Sequence, residues 1–137
     1  MAGNDTLTAC YVSESAQVTV QPVITLSELD IVTGDVHKVT GTATRSIPDG
    51  YKLLEHGVLW AKDFAGPTAD NFQYGKAGVN KYISNTTSQN GTVKLNVKVA
   101  DDSTIVTLRG YMILRDSATG NEVTYYTEIR SRSYSGN

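Results

Sequence analysis

The chain has 137 residues, of which 19% are charged and 39% apolar, about one domain's worth of sequence and too rich in β-branched residues for a disordered chain. A formal net charge of −2 leaves no basic excess to neutralise phosphates, which argues against nucleic-acid binding as the main role. The single cysteine excludes an internal disulfide and a cysteine-based zinc site.

The first residues, MAGNDTLTACYVSESAQ, lack the basic and apolar regions of a signal peptide. Apolar runs such as Met112-Ile113-Leu114 fall far short of the ~20 residues of a membrane helix. With Met1 as the natural start, the chain is expected to be a small protein kept in the cytoplasm until it joins something. Residues 1–16 read as a polar extended arm and residues 17–137 as one domain.

Residues 17–26 alternate through Val18, Val20, Ile24 and Leu26, and Pro22 suits an edge strand or bulge. In residues 24–32 the spacing of Leu26, Leu29 and Val32 is the best helical candidate, but strand or irregular structure is the preferred reading. Residues 36–46 alternate as a strand, and Ile47-Pro48-Asp49-Gly50 has turn chemistry. Residues 53–62 form the next strand, and residues 64–80, rich in Gly, Asn, Asp and Pro, a long loop with room for an extra strand. Asn90-Gly91 is a hairpin-turn signal. After it, residues 92–100 set Val93, Leu95, Val97 and Val99 against Lys94, Asn96 and Lys98, the strongest period-two signal in the chain. Residues 104–116 alternate on both faces, residues 117–121 form a hairpin loop, and residues 122–132 close the run. About seven strands with short turns predict an all-β fold, an antiparallel β-sandwich with Greek-key connections.

Two segments, Leu54-Glu55-His56-Gly57-Val58-Leu59-Trp60 and IVTLRGYMILRDSATGNEVTYYTEI from Ile105, carry a family resemblance. The chain, over roughly residues 36–129, resembles immunoglobulin-like and fibronectin-type-III-like domains of bacteriophage virion proteins and Gram-positive surface proteins. It differs from them at Thr104-Ile105-Val106-Thr107, where such domains often carry a corner tyrosine. The resemblance implies an Ig-like sandwich and is specific for fold rather than chemistry. It points to a structural or interaction protein of the virion, such as a decoration, neck or tail-associated protein. The alternative is an adhesion or carbohydrate-binding module on a bacterial surface.

Catalysis needs a nucleophile, a base and an orienting group together. His37 and His56 read as turn and strand residues, and no G-x-S-x-G elbow occurs, so the chain is expected not to be an enzyme. Asp63, Asp70, Asn71, Asp101, Asp102 and Asp116 do not follow a calcium-loop pattern and read as solvated turn residues; no cofactor or metal is expected. Trp60 is expected in the sandwich core, and Arg109 in a salt bridge or stacked on a tyrosine. The candidate interaction residues are Thr6, Leu7, Thr8, Cys10, Tyr11 and Val12, which could add a strand to a neighbour's sheet edge. Phe72 and Tyr74 join them as loop aromatics poised between packing and contact. The expected partners are proteins, either further copies or a larger assembly; a carbohydrate is a weaker candidate, and neither nucleic acid nor membrane is expected.

Overall fold

The computed structural model describes residues 21–136, and these residues contain no helix, only antiparallel strands. The strands are β1 (Val23–Leu26), β2 (Asp30–Val32), β3 (Lys38–Ser46), β4 (Tyr51–Lys62), β5 (Asn80–Ile83), β6 (Asn90–Lys98), β7 (Ile105–Asp116), β8 (Glu122–Tyr126) and β9 (Arg130–Ser133). In the first sheet β6 pairs along the whole of one edge of β3, while β1 and β2 share the other edge. In the second sheet the order is β5-β4-β7, and β8 and β9 share the far edge of β7. Nine strand segments thus fill seven positions in two facing sheets.

Both shared edges are broken in the same way. Leu26 pairs with Ala43 and Asp30 with Thr40, so residues 27–29 face only residues 41–42. Tyr126 pairs with Tyr111 and Arg130 with Leu108, so residues 127–129 face only residues 109–110. One extra residue on each edge ends the ladder and restarts it. This explains the three-residue spacing in residues 24–32: the extra residue lets Leu29 pack against the core from the break. It also divides the closing strand expected over residues 122–132. The two breaks are tied together across the sheets, because Arg130 Nε donates to Leu26 O at 3.2 Å and Arg132 Nη1 to Leu29 O at 3.3 Å.

The main core lies between the sheets, with Val39, Ala43, Val93, Leu95 and Val97 from one sheet against Val58, Val106 and Leu108 from the other. Trp60 packs on it from the margin, only partly buried. Ile47, Leu53, Met112 and Leu114 extend the packing at the other end. The alternation of β6 is as expected, valines and leucine inward and lysines and asparagine outward. Asn90-Gly91, however, is no turn: both residues lie inside β6, opposite Ser46 and Arg45. Cross-strand pairing with β3 outweighs the local turn preference there.

Without a corner tyrosine, the connection from β6 to β7 is held at Asp102. Its carboxylate takes a 2.7 Å contact from His37, whose ring stacks on Tyr134 at 4.1 Å. Its carbonyl accepts from both the N–H and the hydroxyl of Ser135 at 3.0 Å.

Candidate functional site

β7 is buried on both faces, which a sandwich with one solvated face does not require. Its second face is covered by the segment between β4 and β5. There Leu59, Ala61, Tyr111 and Phe72 form a separate apolar cluster, joined by Phe64, Val79, Ile113 and Tyr126. Arg109 holds this cover in place. Its guanidinium stacks on Tyr126 at 4.3 Å, donates through Nη1 to Phe72 O at 3.0 Å and Ala69 O at 3.2 Å, and through Nε to Thr127 O at 2.8 Å. One side chain thus joins the covering segment to the break between β8 and β9. The stacking expected for Arg109 is observed.

Beside this cluster Tyr111 donates its hydroxyl to Glu55, and burial, reinforced by that bond, pushes its pKa far above the usual phenol value. Lys81 reaches Glu55 at 3.5 Å and also donates to the Tyr74 hydroxyl. The Tyr74 backbone N–H donates to the Tyr126 hydroxyl. These groups bond one another and brace the cover.

A second polar pair lies inside the sandwich. Arg45 and His56 are each only 1% exposed. The guanidinium donates to Ser88 O, to the hydroxyls of Ser88 and Thr86, and to Nδ1 of His56 at 2.7 Å. Among the described residues no carboxylate pairs with it. Burial and the adjacent guanidinium lower the His56 pKa to about 4, so the ring is neutral near pH 7. Nδ1 then accepts from Arg45 and the proton sits on Nε2, which has no hydrogen-bond partner. The pair anchors the loop between β5 and β6.

The surface feature that stands out is the side of the sandwich where, among the described residues, β5 pairs only with β4 and β6 only with β3. Between them is a cleft of about 350 Å³ lined by Trp60, Tyr82, Leu95 and Val97, with Lys62 and Lys98 also on its walls. A hollow of about 230 Å³ continues it along Thr92–Lys94. Tyr82 and Ile83 are 48% and 47% exposed.

Thr6, Leu7, Thr8, Cys10, Tyr11 and Val12 lie outside the described residues. Of the two alternatives for Phe72, the structure shows packing: its ring is fully buried and meets Phe64 edge-on at 5.0 Å. The reason is that β7 carries apolar groups on both faces and the loop folds back to cover the second one. Tyr74 remains partly exposed. The turn acids mostly cap backbone N–H groups. Asp63 accepts from Ile105, Asp101 from Ser103 and Asp116 from Ala118. Among the described residues no group of three or more His, Cys, Asp or Glu side chains is placed to hold a metal ion, and no helix is long and apolar enough to cross a membrane. Tyr82 and Ile83 are not among the candidate interaction residues of the sequence: they lie just beyond the stretch of residues 64–80 read as loop, where no strand is assigned. No family model matches the chain, and neither a curated protein nor a solved structure matches it.

Proposed function

We propose that the protein is a non-enzymatic structural and interaction module, a bacteriophage virion component of the decoration, neck or tail-associated kind, which assembles through an Ig-like sandwich and its N-terminal arm. The observation that carries this reading is that β5 and β6 flank a cleft with apolar walls and that no described residue pairs with their outer edges. Unpaired edges are templates for strand addition unless they are blocked. β5 has no proline and exposes a tyrosine and an isoleucine. Three strand positions facing four are compatible with the Ig-like and fibronectin-type-III-like sandwiches the sequence resembles. The polar clusters support a scaffold role, since Arg45, His56, Arg109, Tyr111 and Glu55 each bond groups within the domain.

The test is molar mass by light scattering after gel filtration, at low and high micromolar protein, for the full chain and for a chain lacking residues 1–16. The expected result is a defined oligomer for the full chain that is lost on truncation. A monomer in both forms at every concentration overturns self-assembly through the arm.

A further inference from the structure

We propose that residues 6–12 of one copy dock as an added strand in the cleft between β5 and β6 of a second copy. This rests on the arm-assembly reading above and names the surface that receives the arm.

Strand addition needs a free ladder edge and pockets for alternate side chains. β6 provides the edge, since no described residue pairs with the side of it away from β3. The cleft provides the pockets, with Leu95 and Val97 from β6 facing Trp60 and Tyr82 from the other sheet. The lined stretch of β6, residues 92–98, is as long as residues 6–12, roughly 23 Å when extended at ~3.3 Å per residue. Period two puts Leu7, Ala9 and Tyr11 on one face of such a strand and Thr8 and Cys10 on the other. The first set suits the cleft, and the second falls on the side of Asn96 and Lys98.

Charge selects the same occupant. All twelve lysines and arginines of the chain lie beyond residue 20, while Asp5 and Glu14 lie before it. The segment is therefore acidic, with one acid on each flank of residues 6–12. The cleft and the hollow that continues it include Lys62, Lys98 and Lys94 and no acid. Such complementarity guides encounter and fixes register more than it adds affinity.

β1 enters on the edge of β3 opposite β6, with Val23 paired to Ser46, so the described chain begins on the side of the first sheet away from its own cleft. That placement favours a neighbour's cleft as the receiving one.

Cys10 is the only cysteine, which makes the test direct. Full-length chains carrying Cys10→Ser with Asn96→Cys, Lys98→Cys or, as a control on the far edge, Thr124→Cys are each mixed with the unaltered chain under mild oxidation. The expected result is a mixed disulfide between Cys10 and the thiol at position 96 or 98, at least tenfold more abundant than at position 124. Equal yields at 124, or no adduct at 96 and 98, overturn the proposal. A chain keeping Cys10 and carrying Asn96→Cys separates the two sources of the arm. A disulfide within one monomer, formed at a yield independent of concentration, assigns the cleft to the chain's own arm and overturns the second-copy proposal. An oligomer that is lost on removing residues 1–16 but shows no pairing at 96 or 98 overturns the docking surface and leaves arm assembly standing. A chain monomeric with and without the arm removes the assembly reading itself.

Discussion

Arg45 and His56, eleven residues apart in sequence, meet at 2.7 Å inside the sandwich, where the guanidinium donates to a neutral imidazole. A buried cation ordinarily takes a carboxylate partner. Here neutral acceptors surround it, and the histidine must stay unprotonated for the arrangement to hold.

That requirement makes the fold acid-sensitive. The folded His56 pKa of about 4 lies below its ordinary value of 6.5. Between these values the unfolded chain binds more protons than the folded one, so stability falls as pH drops from 6.5 towards 4. The slope is about 1.4 kcal/mol per pH unit and the whole window is worth of order 3 kcal/mol. Urea midpoints at pH 7, 5.5 and 4.5 should follow this decline. His56→Gln, which keeps an acceptor for Arg45, should remove most of it; an unchanged slope in that variant would refute the assignment.

Gly91 makes room for the Arg45 head group. A Cβ there would lie 2.8 Å from Nη2 and 2.9 Å from Cζ, and the guanidinium is held by the loop between β5 and β6. Gly91→Ala should cost about 1–3 kcal/mol as an overpacking change. Thermal melts of this variant beside Gly120→Ala would separate crowding from strain, since Gly120 has a φ of 77° and open space around it.

Gly57 controls whether β5 can pair. A Cβ at this position would sit 2.2 Å from the backbone oxygen of Tyr82, so Gly57→Ala should push β5 off β4. The expected signature is loss of amide-exchange protection in residues 80–83 while β6 and β7 stay protected. Uniform protection across all strands would count against it.

Phe72 and Arg109 hold the cover over β7. Phe72→Ala should cost about 3–5 kcal/mol and expose residues 64–79 to limited proteolysis before the sandwich unfolds.

Arg109→Lys should give much of the same protease sensitivity, because an ammonium cannot stack on Tyr126 while reaching Thr127 O and Phe72 O in the planar fork. Cleavage no faster than in the unaltered chain would show that the covering segment is held by other contacts.

The alternation of β6 and the division of β7 into two faces were legible because a strand's side chains alternate with period two whatever its neighbours are. The Pro48-Asp49-Gly50 turn and the hairpin after β7 were legible because their chemistry is local; Gly50 and Gly120 adopt positive φ as such turns require. The all-β fold therefore follows from the order of residues alone. The partners of those faces do not. β7 reads the same whether its second face meets solvent, a neighbour or the segment after β4, and only the packing of Phe72 and Arg109 decides for the segment. The breaks at residues 27–29 and 127–129 add one residue each to an otherwise regular pattern, and that offset shows only against a paired strand. The meeting of Arg45 with His56, and of Trp60 and Tyr82 with Leu95 and Val97, depends on which strands face each other across the sandwich. Sequence periodicity carries the direction a side chain takes from its own backbone; what it touches there is set by chain segments far away in sequence.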